Sequence, residues 1–213
     1  MQRARQENDK EIRRQQILEA AKDLLEIHRT TLPSVNDIAK QAKLAKGSVY
    51  NYFPTKEEIY FTLVVDGFDR WVKSVKTAYI EQAIDIAAAI DVYVDFCVKE
   101  HEFMHLASIA PTILEHNISL EMATNFKRKL AHDVLGLAEI LSTLFPTLTI
   151  HQTLELYLAS YATTIGIWQV SNPSEIIRAA TEHTETRFLR PDFESTLRSA
   201  LLNLWRGTIV RGG

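Results

Sequence analysis

Apolar residues recur with a helical period along nearly the whole chain. Val35, Ile38, Ala39 and Ala42 show the pattern clearly, because they lie at positions i, i+3, i+4 and i+7 and share one face of a helix. No segment alternates apolar and polar residues as a half-buried strand would. The pattern therefore predicts an all-α fold. The predicted helices are Glu11–Ile27, Val35–Ala42, Lys46–Phe53, Lys56–Tyr79, Ala83–Lys99, Phe103–Glu115, Leu120–Phe145, Ile150–Val170, Pro173–His183 and Asp192–Arg206.

Capping and breaking residues mark where these helices begin and end. Ser34 with Asp37, and Thr55 with Glu58, have the spacing of capping boxes, in which two side chains satisfy the free amides of a first turn. Pro111 falls inside a predicted helix and should kink or split it. The other breaks coincide with Asn117, Pro146, Asn172, Pro173 and Pro191.

Residues 34–60 predict two short helices and the start of a third, at the spacing of a helix-turn-helix. In the second helix, Val49, Tyr52 and Phe53 can point back towards the first. The remaining side chains, which point outward, can donate to or accept from phosphates and base edges. They belong to Lys46, Ser48, Tyr50 and Asn51.

Residues from about 12 to 60 resemble the DNA-binding domain of TetR-family transcriptional regulators. The matching residues are Ile38, Ala39 and Ala42, the run Lys46-Gly47-Ser48-Val49-Tyr50-Asn51-Tyr52-Phe53, and Lys56-Glu57-Glu58. The resemblance implies an N-terminal three-helix DNA-binding domain, residues 11–56, and a helical ligand-binding and dimerisation domain, residues 57–213. It also implies a homodimer that binds a palindromic operator as a repressor and is released by a small-molecule effector.

Two residues depart from the pattern of that family. Lys43 occupies a turn position where the family commonly has Gly, which adopts a positive φ most easily, and Ala45 stands where Ser or Thr is common. We therefore expect some strain in the turn and a second helix without a side-chain cap. A helical ligand-binding module that has lost operator recognition is an alternative made conceivable by these two residues.

The expected DNA contacts lie in the three helices of the motif. Lys46, Tyr50 and Lys56 should contact phosphates, with Ser34 and Tyr52 assisting. Ser48 and Asn51 should reach base edges or sugars, and Gly47 leaves its backbone amide open to a phosphate. The basic residues of the N-terminal tail are further candidates unless that tail is a frayed terminus. They are Arg3, Arg5, Lys10, Arg13 and Arg14.

The resemblance places dimerisation on the helices Ile150–Val170 and Asp192–Trp205. Its candidate contacts, which could also be ordinary core within one chain, are Tyr157, Tyr161, Ile165, Trp168, Leu197, Leu201, Leu204 and Trp205. The effector pocket is expected inside the C-terminal domain, lined by apolar groups with a few polar ones. The candidates for that wall are Phe68, Trp71, Phe96, Phe103, Met104, Ile113, Asn117, Phe126, Leu130 and Tyr161.

Charge is distributed unevenly along the 213 residues. Through Lys56 there are eleven basic against seven acidic residues, and after it thirteen against twenty, which gives the net charge of −3. The basic end carries the helix-turn-helix, as DNA binding requires. Cys97 is the only cysteine and the N-terminus is polar, so no intrachain disulfide, signal peptide or membrane span is predicted and a cytoplasmic location is expected.

A competing motif is His101-Glu102-Phe103-Met104-His105, which matches the H-E-x-x-H of zinc hydrolases. Catalytic zinc needs a third protein ligand, and none of the nearby acidic or histidine residues has a diagnostic spacing. Cys97 and His101 could in principle pair as thiolate and imidazole. We predict that the protein is not an enzyme, with no catalytic residue, metal or cofactor, and keep the zinc hydrolase as an alternative.

Overall fold

The computed structural model describes residues 2–28, 31–81 and 85–212, and the side chains of residues 7–28, 31–80 and 85–209. All regular structure in these ranges is helical, which confirms the predicted all-α class. The loop residues Arg29 and Thr30, the predicted helix start at Ala83 and the side chains of Arg3 and Arg5 lie outside the described residues. The helices are α1 (Gln2–Ile27), α2 (Val35–Gln41), α3 (Lys46–Val49), α4 (Lys56–Glu81), α5 (Ile86–Lys99), α6 (His101–Ile109), α7 (Leu120–Leu144), α8 (Ile150–Ser171), α9 (Glu175–Ala180) and α10 (Phe193–Gly212).

The chain forms two compact units that are each discontinuous in sequence. The first contains residues 1–66 together with residues 105–124. The second contains residues 67–104 together with residues 125–213. The long helix α4 therefore contributes to both, and the segment between the middle of α6 and the start of α7 folds with the N-terminal helices.

The core of the first unit is the apolar face of α1 packed with α2, α3 and the start of α4. Its fully buried side chains include Ile17, Ala21, Ile38, Val49, Phe53 and Ile59. Arg14 covers this core from α1: its guanidinium lies 4.8 Å from the centre of the Phe53 ring, and its Nη2 donates to Thr62 Oγ1 at 3.4 Å. Arg14 is therefore half-buried and engaged in packing, whereas Lys10 and Arg13 are exposed, and the phosphate contacts of all three stay a prediction.

The second unit is built around α5, α8 and α10, which pack on one another. Polar groups inside it are tied together: the indole of Trp205 donates to Ser160 Oγ at 2.9 Å, and Tyr93 and Thr164 share a hydrogen bond of 3.1 Å. On its surface, Arg70 forms a bidentate ion pair with Glu100. None of the described helices is long and apolar enough to cross a membrane.

Several predicted helix boundaries are wrong: α9 ends at Ala180 instead of His183, α10 continues to Gly212 instead of ending at Arg206, and α1 and α3 differ as well. Helix α1 begins at Gln2 instead of Glu11, because the polar residues before Glu11 include no helix breaker and most have good helix propensity. Helix α3 ends at Val49 instead of Phe53. Beyond Val49 the chain tightens into three-residue turns, with Asn51 N bonded to Ser48 O at 3.2 Å and Tyr52 N to Val49 O at 3.0 Å.

Pro111 splits the predicted helix Phe103–Glu115, as its missing amide requires. Helix α6 ends at Ile109 and is followed by one wide π-helical turn at Ala110–Leu114 and a 3₁₀ turn at Glu115–Asn117. The wide turn buries Ala110 and Leu114 and leaves Pro111 exposed.

Candidate nucleic-acid interface and effector site

The predicted capping box holds the start of α2 in place. Asp37 N donates to Ser34 Oγ at 3.3 Å, while Ser34 N and Ser34 Oγ donate to the Asp37 carboxylate at 3.1 and 2.6 Å. These hydrogen bonds from Ser34 keep the pKa of Asp37 below its usual value, with a smaller contribution from Lys40. The Ser34 hydroxyl already donates its proton to Asp37. The first backbone amides of α2 have no acceptor within the helix, so they are more available than this hydroxyl to donate to an external anion.

The turn between α2 and α3 has the strain that the sequence predicted. Lys43 has φ 56°, the left-handed conformation that favours glycine. Ala45 is the N-cap of α3 and makes no side-chain hydrogen bond to it. Both departures therefore affect local stability, while α2 and α3 still pack together through buried Ile38 and Val49.

The outward face of α3 presents most of the predicted contact residues. Lys46, Gly47, Tyr50 and Asn51 are exposed, whereas Ser48 and Tyr52 are half-buried. A Cβ added to Gly47 would meet no atom within 4 Å, so the backbone here is open to close approach. This surface can meet a phosphate through the main chain as well as through side chains.

Four of the predicted residues come together along one open groove of about 390 Å³ in the first unit. Ser34 lies at the start of α2, Lys46 and Tyr50 bound α3, and Lys56 begins α4. Within the described residues neither lysine forms an ion pair, so both ammonium groups can meet an external anion. Asn51, Ser48, Gly47 and Tyr52 do not line this groove.

The predicted second capping box is only half formed, because Glu58 takes a different partner. Glu58 N donates to Thr55 Oγ1 at 3.1 Å, as expected. The Glu58 carboxylate, however, is buried and accepts from Ser119 N at 3.1 Å, and Thr55 Oγ1 donates to Asn117 O at 2.8 Å. The start of α4, beside Lys56, is therefore held by the loop that precedes α7.

The predicted effector wall is only partly assembled in the second unit. Phe68 is the centre of an aromatic cluster whose ring centroids lie 5.1 Å from Phe103, 5.5 Å from Phe126 and 5.9 Å from Tyr161. Trp71 and Phe96 join this cluster, and Met104 is buried while Leu130 is half-buried. Ile113 and Asn117 do not belong to this cluster: both are exposed and lie in the first unit.

Five of the eight predicted dimer contacts are buried inside a single chain. Leu197, Leu201 and Trp205 are completely buried, and Tyr157 and Trp168 nearly so, which makes all five part of the intrachain core and corrects their prediction as interface residues. The other three, Tyr161, Ile165 and Leu204, are half-buried. The exposed side of α8, which the sequence analysis did not single out, carries Leu158, which is 70% exposed, followed by Ala162 and Gly166 at helical spacing.

The H-E-x-x-H residues do not assemble a metal site. The His101 ring packs against Trp168, with centroids 5.6 Å apart, and His105 is half-buried, which lowers the pKa of its imidazole. In the described part of the chain, no three His, Cys, Asp or Glu side chains are grouped as metal ligands. Burial raises the pKa of Cys97 to about 12, so its thiol stays protonated and is a poor nucleophile.

Comparison with known proteins agrees with this arrangement. Residues 17–63 match the family described as bacterial regulatory proteins, tetR family, and residues 65–212 match a tetracyclin repressor-like C-terminal domain. Among curated proteins, none matches the sequence significantly.

Two solved structures share the fold at low identity. The fatty acid degradation regulator FadR from Bacillus halodurans is 18% identical, with 88% of this chain and 97% of that chain covered and a TM-score of 0.51. The transcriptional regulator FadR from Bacillus subtilis, solved in complex with stearoyl-CoA, is 16% identical with the same coverage and a TM-score of 0.52. Since the two matched domains together span most of the sequence, the chain belongs to the TetR family of bacterial transcription regulators.

Proposed function

We propose that this protein is a cytoplasmic, homodimeric repressor that binds a palindromic operator and is released by a small-molecule effector. Residues 11–56 form the DNA-binding domain, and residues 57–213 bind the effector and dimerise. The observation that carries the proposal is the groove in which the starts of α2, α3 and α4 bring Ser34, Lys46, Tyr50 and Lys56 together.

The groove has the chemistry of a DNA backbone site. Two lysines that form no ion pair within the described residues lie at the starts of α3 and α4, whose free amides and dipoles favour an anion, and the Tyr50 phenol lines the same groove. We therefore expect Lys46, Tyr50 and Lys56 to contact phosphates and to position the DNA-binding domain on the duplex. Ser48 on α3 and Asn51 in the turn after it lie outside the groove, contact base edges and supply sequence preference.

Dimerisation follows from the geometry of a palindromic operator. Two recognition helices must enter the major groove about 34 Å apart, which a two-fold dimer provides. The exposed side of α8 suits this contact, because Leu158 offers apolar area while Ala162 and Gly166 allow a second helix to approach closely. Ile165, on the same helix, and Leu204 of α10 are half-buried and remain candidate contacts.

The effector is a molecule with an apolar body. The aromatic cluster around Phe68 offers a wall for such a body, and one structural relative was solved with stearoyl-CoA. Binding of the effector favours a conformation with lower DNA affinity, so that occupancy shifts the population away from the operator-bound state. An acyl chain is the effector class with the most support.

A salt-titrated DNA shift assay on a duplex selected from a random library tests the DNA role. Lys56→Ala should weaken binding to every sequence and reduce the salt slope by about one unit, because one phosphate contact is lost. Lys73→Ala is the matched control, since Lys73 is an exposed lysine on the same helix but in the second unit. An unchanged slope for Lys56→Ala would remove Lys56 from the interface.

A second candidate is a helical ligand-binding module without operator recognition. The left-handed Lys43 and the uncapped α3 favour it, because both weaken the element that would read DNA. The same selection distinguishes the two functions. Enrichment of one palindromic sequence supports the repressor, whereas a pool that stays random supports the module.

A further inference from the structure

Besides Ser171 Oγ, the second unit buries three hydrogen-bond donors, all on aromatic side chains, that have no acceptor within the described residues. They are Trp71 Nε1, Tyr79 Oη and Tyr157 Oη. Their side chains are only 8%, 2% and 4% exposed, so bulk water does not reach them. Buried polar groups in folded proteins are nearly always paired, and three such donors in one unit call for an explanation.

The three donors belong to one neighbourhood. The rings of Trp71 and Tyr157 pack edge to face with centroids 6.1 Å apart. The hydroxyls of Tyr79 and Tyr157 are close enough to influence each other's pKa, although they do not meet hydrogen-bond geometry.

Neighbouring polar aromatic residues in the same unit are satisfied, which makes these three exceptional. Tyr93 bonds to Thr164, and the Trp205 indole donates to Ser160 Oγ. This unit therefore does place hydrogen-bond partners beside other buried polar aromatic side chains. An unpaired buried donor is costly, and an acceptor brought in by a ligand would remove that cost.

No charged side chain is among the groups that shift the pKa values of Tyr79 and Tyr157. Burial is the main cause that raises the pKa values of Tyr79, Tyr93 and Tyr157, and the remaining interactions come from other tyrosines, Cys97 and Thr164. All of these groups are uncharged at neutral pH, and no lysine, arginine or histidine is among them. A carboxylate or phosphate placed here would lack a counter-charge.

We propose that Trp71, Tyr79 and Tyr157 form the polar end of the effector site and donate to an uncharged carbonyl oxygen attached to an apolar chain. The apolar wall is continuous with this end, because Trp71 also contacts Phe68, whose ring packs on Phe103 and Phe126. The inference rests on the proposed ligand-responsive function and specifies the chemistry of its ligand. A ketone, an ester and an acyl thioester share the required oxygen.

Thermal denaturation of the free protein tests whether the donors are unpaired. Tyr157→Phe and Tyr79→Phe remove a hydroxyl and keep the ring, so each should leave Tm unchanged or raise it. Tyr93→Phe is the matched control: it deletes a hydroxyl that is hydrogen-bonded, and it should lower Tm. A lower Tm for either Tyr157→Phe or Tyr79→Phe would show that the hydroxyl is already paired and would overturn the proposal.

Calorimetric titration with three probes tests the ligand class. We expect 2-octanone to bind, octanoate at pH 8 to bind at least about tenfold more weakly, and Tyr157→Phe to weaken 2-octanone binding about five- to tenfold. Binding of octanoyl-CoA would identify a thioester as one source of the carbonyl. Octanoate binding as tightly as 2-octanone, binding by no probe, or an unaffected Tyr157→Phe would each overturn the inference.

Failure of the broader function would look different. A wild-type protein that selects no duplex in the absence of any probe would refute the repressor while leaving the probe titrations interpretable. If such a protein still bound 2-octanone more tightly than octanoate, and Tyr157→Phe weakened that binding, the carbonyl site would still be supported.

Discussion

Gly67 lies in the interior of α4, where glycine normally costs stability, and Phe103 explains its presence. A Cβ at position 67 would lie 2.0 Å from Phe103 Cδ2 and 2.7 Å from Phe103 Cγ, far inside van der Waals contact. The ring cannot simply turn away, because it is 6% exposed and packs against Phe68 and Phe96. Gly67→Ala should therefore overpack the second unit.

The magnitude follows from two opposing effects. Overpacking a dense core costs about 1–3 kcal/mol, while replacing glycine by alanine inside a helix returns about 1 kcal/mol. Gly136 provides the matched control in α7, since a Cβ there meets no atom within 4 Å and only the helical gain applies. Gly67→Ala should thus be less stable than Gly136→Ala by about 1–3 kcal/mol.

Urea denaturation and thermal melting of the two variants measure this difference. For a chain of this size, about 1 kcal/mol corresponds to about 2–4 °C in Tm, so Gly136→Ala should melt above the wild type and Gly67→Ala well below Gly136→Ala. The double variant Gly67→Ala/Phe103→Leu should recover part of the loss, because the smaller side chain makes room. Equal melting temperatures for the two single variants would refute the packing argument.

Three further predictions concern the helix-turn-helix. Lys43→Gly should stabilise the protein by about 0.5–1 kcal/mol in urea denaturation, because glycine adopts the positive φ without strain but is more flexible when unfolded; a loss of stability would contradict this. Gly47→Ala should leave the melting temperature equal or higher yet weaken operator binding in a shift assay, since its added methyl group meets only the DNA; undiminished affinity would exclude close approach there. Asp37 has a lowered pKa in the folded state, so its stabilising effect is complete above its unfolded pKa and is lost as pH falls through the folded value. Asp37→Asn should accordingly flatten the acid side of the stability–pH curve, and an identical acid side in both proteins would disprove that role of the capping box.

Local features of this fold could be predicted from the sequence because they depend on neighbouring residues. The Ser34–Asp37 capping box, the strain at Lys43 and the break at Pro111 each follow from side chains within a few positions. The length of α3 could not, because the residues after Val49 have no helix breaker before Pro54 and yet tighten into turns.

The periodicity of apolar residues could not predict which residues distant in sequence contact one another. Glu58 has the spacing of a capping box, but a loop about sixty residues away supplies the amide that its carboxylate accepts from. Helical periodicity showed that Tyr157 and Trp205 face a partner without showing whether that partner lies in the same chain. It is the same chain, because both side chains are buried without a second copy, and the dimer proposed above therefore uses the exposed side of α8.

The pairing of the loop before α7 with the start of α4 has a consequence for protein engineering. A fragment that stops at Asp66 would lose the main-chain groups of Asn117 and Ser119, and the buried Glu58 carboxylate would have nothing to replace them. A chimera that joins this DNA-binding domain to the ligand-binding domain of another protein therefore also needs residues 105–124, inserted as a second segment. Chimeras joined at a single point after Asp66 should fold poorly even when all residues of the helix-turn-helix are present.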